Sequence, residues 1–557
     1  MLIFTPLFIP GTDGRLLFVI ASLFIVVFLM LVRNNIQLER RKRKFEVLNK
    51  IVSDELLALD HKFDHFEGGE IFSDTDHFYT YDLDVFGQGS LFKFLNRTAT
   101  AGGQQTLAEW LKEPPLKKEI ILDRQEAVRE LSGIPNWRLH FLARGHMFKE
   151  TSELSKEIKS WSDTNIELPK PGLWKSLIVI LPLLTMLSVV HAFLSNSYYL
   201  LGTMVLCQWI VLFLWRKQIS RYYSFFGRKS ELLAKYMDLL RYVEEREFYT
   251  PLLIRLQMAL QNPESAGKVF RKLRRHIKQF EYRQNLIVAI FLNSFFLWDL
   301  RCLYKLGQWH IKNHKRLGAW LNVIAETDAL ISLANLAYNQ PAFIFPDIHE
   351  GGFTLTAEKI GHPLLNPAKR VENDITINGW SKVLIITGAN MAGKSTFLRT
   401  VGVNMILARA GAPVCAAAMN VTPVGVYTDM RTTDSLMKDE SYFFAELKRI
   451  KRILDSLKVG ERFLVILDEM LRGTNSTDKL NGSKDLIRKF IDYKAVALIA
   501  THDLKLSEMD DEFPQLVVNK CFEIDIRENE MIFDYLLKDG VTQSMNASYL
   551  MKQMGII

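Results

Sequence analysis

The chain has 557 residues, 48% of them hydrophobic, and carries 70 Lys and Arg against 62 Asp and Glu, a formal charge of +8. That length allows roughly three or four domain-sized units with real cores, and a composition of 24% charged and 11% aromatic residues excludes a mainly disordered chain. The cysteines Cys207, Cys302, Cys415 and Cys521 form no C-x-x-C pair, which excludes a disulfide scaffold and a cysteine zinc site and fits a reducing compartment; the modest charge permits an anionic partner without requiring one.

The apolar residues are concentrated. Leu16–Val32 has no charged residue, is preceded by Arg15 alone, and is followed by Arg33 and the run Arg40-Arg41-Lys42-Arg43-Lys44. At about 1.5 Å per residue it is just long enough for a bilayer core. Basic residues after the run, not before it, read as a retained anchor and not a cleaved signal peptide. Ser176–Leu194 and Tyr198–Trp215 also lack Asp, Glu, Lys and Arg and are separated only by Ser195-Asn196-Ser197, the pattern of a transmembrane hairpin. Lys170 and Lys175 precede it; Arg216, Lys217, Arg221 and Arg228 follow. The positive-inside rule then places the N-terminus outside a cell (inner, cytoplasmic) membrane and the chain from Arg33 onward, the hairpin excepted, in the cytoplasm. Leu286–Leu297 is shorter and runs into Asp299 and Arg301, so a core helix is expected there and three spans in all.

Between the anchor and the hairpin, the stretch LFKFLNRTATAGGQQTLAEWL has helical spacing up to Pro114-Pro115, and a second helix is expected over Ile120–Leu131. From Tyr222 to Ala337 long helical patterns dominate. The basic cluster Lys268, Arg271, Lys272, Arg274, Arg275, Lys278 and Arg283 is expected to spread around much of its helix, suiting phosphate contact.

After Pro341 the pattern changes to short apolar runs separated by helices. Val383–Ile386, Phe463–Leu467 and Ala495–Ala500 predict a buried, mostly parallel sheet, and Cys521–Arg527 with Met531–Leu537 a terminal hairpin. Directly after the first strand, Gly388-Ala389-Asn390-Met391-Ala392-Gly393-Lys394-Ser395 matches G-x-x-x-x-G-K-[ST]. In such a loop, backbone N–H groups turn inward around phosphates, the lysine neutralises β/γ oxygens and the serine ligates Mg²⁺. The second strand ends in Asp468-Glu469, placing one carboxylate for the Mg²⁺ shell and one to deprotonate the attacking water. The third ends in Thr501-His502-Asp503, from which His502 can reach a γ-phosphate. ATP and Mg²⁺ are therefore the expected cofactors, with Glu469, Lys394 and His502 as catalytic residues.

These motifs together resemble the MutS family, whose ATPase is of the ABC class. Thr387–Arg399, including Thr396, is similar to the family's TGPNM-G-KST-LR loop with Ala389 in place of proline. Leu467–Asn475 is similar to its DE-x-x-RGT segment, and Asp434 with Glu440–Glu446 to its D…S-x-F-x-x-E region. Gly361-His362-Pro363 and Asn373-Asp374 resemble its GRHP and ND elements, and Thr98…Trp110-Leu111 and Asp328…Ala334 its core and lever helices. The resemblance implies an α/β P-loop ATPase joined to a mostly helical core and lever. It divides the chain into an anchor and basic segment (1–50), a helical core (51–172), the hairpin (173–217), a lever (218–345) and the ATPase (346–557). It also implies a homodimer in which Ser441 of one copy completes the other's site, Asn390 and His502 sense the γ-phosphate, Asn373 lies near the nucleotide, and Arg472 braces the segment after Asp468-Glu469.

Neither the family's mismatch-recognition domains before residue 80, nor a clamp domain in the lever, nor a C-terminal helix-turn-helix after the last segment is expected. Two readings stay open. One is a membrane-anchored ATPase that binds mismatched, branched or duplex DNA in repair or recombination; the other is an ATP-driven motor acting on an unidentified membrane partner without DNA.

Overall fold

The computed structural model describes residues 14–148, 150, 153, 157, 160, 171–227, 230–389, 391–431, 442–527 and 530–543. The first apolar run and the basic cluster after it form one helix, α1 (Gly14–Leu59). Its N-terminal part exposes large apolar side chains such as Leu23 and Phe24, whereas its last turns rest on protein. There Glu55 takes the buried Arg97 guanidinium at 2.6 Å and the Asn339 amide at 2.7 Å.

The helical stretch expected up to Pro114 is two helices, α2 (Leu91–Leu95) and α3 (Ala101–Lys112). Side chains that compete for backbone donors break it: Asn96 Oδ1 accepts from Thr98 N at 3.1 Å, and Thr100 Oγ1 caps Gly103 N at 3.0 Å. α4 (Lys118–Ser132) and α5 (Pro135–His146) follow, the latter opened by a proline that needs no N–H donor there.

The two later apolar runs form α6 (Pro171–Ser195) and α7 (Tyr199–Gly227), packed on one another. Beyond them lie α8 (Ser230–Glu244), α9 (Pro251–Gln261), α10 (Ala266–Glu281), α11 (Leu286–Phe296) and the long α12 (Trp298–Asn339). Among the described residues, α1, α6, α7 and α12 are long and apolar enough to cross a membrane by length and composition. α12 differs from the others because 72% of its apolar window is buried within the protein, against 0%, 22% and 11%. It is an internal helix in the region expected as the lever, with Trp320, Ile324 and Leu330 in the core.

Two sequence expectations are corrected here. Leu286–Leu297 is not a core helix, since Leu286, Ile287 and Phe291 are exposed and the residues buried within α11 are Asn293 and Ser294. The basic cluster does not spread around its helix either. α10 buries Val269, Phe270, Leu273, Ile277 and Phe280 and exposes Lys268, Arg271, Lys272, Arg275 and Lys278 on the other side. Apolar residues at i, i+3 and i+4 spacing fix that face, so the charges collect opposite.

A single buried carboxylate ties the lever to the start of α3. Asp328 accepts from Ala99 N at 3.0 Å, Thr100 N at 2.8 Å and Thr100 Oγ1 at 2.7 Å. Burial lifts its pKa to about 6, against the lowering effect of the hydrogen bonds from Thr100 and Ala99.

The C-terminal half carries two sheets. β1 (Asp347–Ile348), β2 (Thr354–Ile360), β3 (Asn373–Asn378) and β5 (Ala418–Val421) form one in the order β1-β5-β2-β3. The other contains β4 (Val383–Gly388), β6 (Gly425–Asp429), β7 (Phe463–Asp468), β8 (Val496–Thr501), β9 (Val517–Arg527) and β10 (Glu530–Asp539), in the order β10-β9-β4-β8-β7-β6. All its pairs are parallel except β10 with β9. Alternate residues feed opposite cores. Leu384, Ile386, Ile466 and Leu498 join one cluster with the P-loop helix and the helical core, while Ile385, Val465 and Ile499 pack with Ile453 and Ile487 on the other face.

The Asp328 knot makes Gly103 a test position. A Cβ there would lie 2.6 Å from the Asp328 Cβ, so Gly103→Ala, ordinarily a gain of about 1 kcal/mol inside a helix, is expected to lower the thermal unfolding midpoint instead. A raised midpoint would contradict the packing described.

Candidate functional site

β4 ends at Gly388, whose φ of 155° and close approach to β9 (a Cβ would lie 2.7 Å from the Phe522 carbonyl) leave no room for a side chain. The chain then turns through Met391, at φ 68°, and Gly393, at φ 109°, into α13 (Lys394–Ala410). A left-handed N-cap is natural for glycine and aims the free N–H groups of the first helical turn into the loop.

Lys394 is 5% exposed and folds back over its own loop, donating to the carbonyls of Gly388 at 2.6 Å and Ala389 at 2.9 Å. Burial pulls its ammonium pKa down, while Glu469 and Asp468 pull it up. Ser395 and Thr396 follow on the exposed side of the first turn. The loop borders a cavity of about 570 Å³, within the range of small-molecule sites. Lys394, Ser395, Asp468, Glu469, Asn373 and Tyr535 all line it.

Asp468 closes β7, and Glu469 turns out of the strand at φ 58°, its N–H held by the Ala500 carbonyl at 2.9 Å. That turn brings Glu469 Oε1 to 3.1 Å from His502 Nδ1 at the end of the neighbouring β8, with Arg472 Nε 3.6 Å from Oε2. Burial pushes the Glu469 pKa up, but the His502 hydrogen bond, the His502 charge, Arg472 and Lys479 outweigh it and hold the carboxyl below its usual value. Arg472 also donates to the main-chain carbonyls of Asp468 and Glu469, which braces the turn. Glu446 does the same from outside, accepting from Arg472 N at 3.2 Å and from Leu471 N.

Asn373 reaches the cavity from the other sheet, and it also pins β10. Its Oδ1 accepts from Leu537 N at 2.7 Å and its Nδ2 donates to the Tyr535 carbonyl at 3.1 Å, across the bulge between Phe533 and Leu537. Tyr535, at φ 54°, lies beside Gly393 and stacks on Phe533 with ring centres 5.8 Å apart. The bulge puts an aromatic face on the cavity wall, which β10's alternating pattern does not reveal in the sequence. Asn390 and Ser441, with Asp434 and Glu440, lie outside the described residues.

Sequence reasoning missed one further set. Asp82, fully buried, accepts from Thr428 Oγ1 at 2.7 Å, Arg431 N at 3.0 Å and Arg449 Nη2 at 2.8 Å. Asp84 pairs with Arg399 of α13 at 3.0 Å and in bidentate fashion with Arg431. No motif marks these residues, because their partners lie more than 300 positions away.

Among the described residues no group of three or more His, Cys, Asp and Glu side chains gathers as a metal cage. Ser395 and Asp468 on one wall instead offer the two oxygen donors that suit Mg²⁺ bound chiefly through phosphate and water.

Comparison with known proteins agrees with this geometry. Residues 384–554, which hold the loop and the Asp468–His502 cluster, match the family model of MutS domain V, and residues 70–167 match that of MutS domain III. The chain belongs to the MutS family. It is 32% identical over 252 residues to the DNA mismatch repair protein MutS of Thermotoga petrophila, covering 44% of this chain and 31% of that protein. It is 34% identical over 236 residues to the DNA mismatch repair protein MutS of Aquifex pyrophilus, covering 41% and 27%. It is 28% identical over 290 residues to MutS protein homolog 4 of Mus musculus, covering 50% and 28%. The chain thus spans about three tenths of the length of these MutS relatives.

Replacing Lys394 removes the cation that faces the cavity. Lys394→Ala is expected to weaken binding of a fluorescent ATP analogue roughly tenfold or more, the loss of one charge-assisted contact of about 1.5 kcal/mol or more. Unchanged affinity would contradict the assignment.

Proposed function

We propose that this MutS-family chain is a membrane-anchored ATPase. It binds ATP with Mg²⁺, hydrolyses it at a site completed by a second copy, and uses the cycle to move helical arms that bind mismatched, branched or duplex DNA in repair or recombination. The observation that carries the hydrolytic part is the convergence of Lys394, Asp468 and Glu469 on one cavity, with His502 holding Glu469 at 3.1 Å. Lys394 exchanges its two loop carbonyls for phosphate oxygens. Mg²⁺, held by Ser395 and Asp468, supplies charge neutralisation when bound. Glu469, kept ionised by His502 and Arg472, takes the proton of the attacking water as its oxygen bonds to the γ-phosphorus and the bond to the β-phosphate oxygen breaks. His502 holds Glu469 Oε1, and its sensing of the γ-phosphate rests on family likeness.

The dimer rests on family likeness, with Ser441 of the second copy as the completing group. DNA as the substrate of the arms rests on the names of the relatives. Membrane insertion rests on α1, α6 and α7, whose basic flanks put the ATPase in the cytoplasm. In this reading the chain divides into an anchor with its basic segment (1–50), a helical core (51–172), the hairpin (173–217), a lever (218–345) and the ATPase (346–557). The second reading, a motor acting on a membrane partner without DNA, is favoured by the packing of α7 directly on the lever α12.

Glu469→Gln is expected to retain ATP and lower turnover by about 100-fold or more, the usual contribution of a general base; unchanged turnover would refute the assigned base. His502→Ala removes the contact that holds the Glu469 pKa down. The carboxylate then protonates at higher pH, and the acid limb of the hydrolysis profile is expected to move to higher pH; an unmoved limb would contradict the pairing. DNA binding that weakens steeply with salt supports the first reading, and none at low salt supports the second.

A further inference from the structure

α10 and α12 run antiparallel, clamped along their length. Trp298 Nε1 donates to the Gln279 carbonyl at 2.7 Å, Trp309 Nε1 to that of Val269 at 3.1 Å, and Arg316 Nη2 to that of Glu264 at 2.7 Å. α11 closes this hairpin at its tip, and it is inside out. Leu286, Ile287, Ile290 and Phe291 are 73%, 80%, 47% and 56% exposed, whereas Asn293 and Ser294 are buried. The buried polar groups are employed. Asn293 Oδ1 accepts the Asp299 N–H at 2.9 Å, fixing the start of α12, and Ser294 Oγ accepts from Trp209 Nε1 of α7 at 3.1 Å. A contiguous apolar stripe of this kind facing water marks an interaction surface.

The position of α11 against α7 says what covers it. Trp209 lies seven residues before Arg216, the first charge after the apolar run of α7, which is about 10 Å along the helix. The C-terminal end of α11 is therefore level with the uncharged part of α7, and α11 packs against both helices of the hairpin. Where α10 ends and α12 begins, the chemistry changes to that of an interface. Tyr223 of α7 meets Phe280 edge-on at 5.6 Å, Tyr282 stacks on Trp298 at 6.2 Å, and Arg283 pairs with Asp299 at 3.4 Å. Aromatic and basic residues gather at the same level in membrane boundaries. Arg275 and Lys278 are exposed on the last turns of α10, which runs directly into Tyr282 and Arg283. With 11 residues, about 16 Å, α11 is too short to span a bilayer core of about 30 Å, but it is long enough to lie in one leaflet.

We propose that α11 is a monotopic helix bedded in the cytoplasmic leaflet beside the hairpin, with the exposed basic face of α10 set against anionic phospholipid head groups. The lever α12 then starts at the membrane surface and runs inward to the ATPase. This rests on the reading of α6 and α7 as a spanning hairpin.

The test uses the full chain in phosphatidylcholine–phosphatidylglycerol vesicles. Cys207 is replaced by Ser, and nitroxide labels are placed one at a time through Ile287→Cys, Leu183→Cys on α6, and Ile311→Cys on the water-facing side of α12. Collision with oxygen is compared with collision with a water-soluble nickel complex. The expected result is a several-fold higher oxygen-to-nickel ratio at 287 and 183 than at 311. A lipid signature at 183 with nickel access at 287 would overturn the placement of α11 and leave the hairpin standing. Nickel access at both would overturn the spanning hairpin itself. Protection of 287 from both reagents would mean a protein covers α11, and overturns the proposal. A label placed through Lys278→Cys should lose mobility when phosphatidylglycerol is present and ignore added duplex DNA; the reverse would assign this face to nucleic acid and overturn its lipid role.

Discussion

The buried Asp82 carboxylate is the contact on which the coupling of the two halves depends. It sits in the helical half, yet its donors come from the ATPase half: Thr428, the main-chain N–H of Met430 and Arg431, and the guanidinium of Arg449 on α14 (Tyr442–Lys458). Removing an acceptor that serves several buried donors costs more than the contacts contribute when made, so this junction is either formed or broken, with little between. Asp84, two residues on, holds Arg399 on the P-loop helix and Arg431 on the segment after β6. α13 and that segment are therefore tied to the same loop of the helical core.

The hydrophobic packing has the same consequence. One face of the large sheet does not end at the ATPase; Leu384 and Ile466 belong to the same apolar cluster as Leu107, Phe141 and the lever residues Trp320 and Ile324. Glycines mark the tight places. Gly402 of α13 leaves the space that Leu83 occupies, its missing Cβ falling 2.8 Å from Leu83 Cδ1, so the loop carrying Asp82 and Asp84 is wedged onto the P-loop helix by shape as well as charge. α12, the core loop and the P-loop helix thus share one packed core, and the apolar helices α6, α7 and α11 pack against α12.

How much of this was legible in the sequence follows from the range of the interactions. The strands β4, β7 and β8 could be read because each is a short, uninterrupted apolar run, and the loop between Gly388 and Ser395 because its chemistry needs those residues in consecutive order. Local hydrogen-bonding competition at Asn96–Thr100 was hidden, since polar side chains that split a helix look like an ordinary polar turn of one. α11 departs from the core helix that its short length and the following Asp299 and Arg301 suggest, because neither feature says which side is buried: its apolar side faces outward and its two polar residues face in. Tyr535 reaches the cavity only through a bulge, and Asp82 and Asp84 act on residues distant in the chain; no short-range pattern carries either fact.

Nucleotide at the P-loop is expected to move α12 through this junction. This is tested most directly by the distance between nitroxides at position 311 in two copies of the Glu469→Gln chain, measured by pulsed electron resonance with and without ATP and Mg²⁺. A nucleotide-dependent shift that disappears when Asp82→Ala and Asp84→Ala are added, with ATP binding retained, is the expected result. A shift that survives both substitutions would contradict the account.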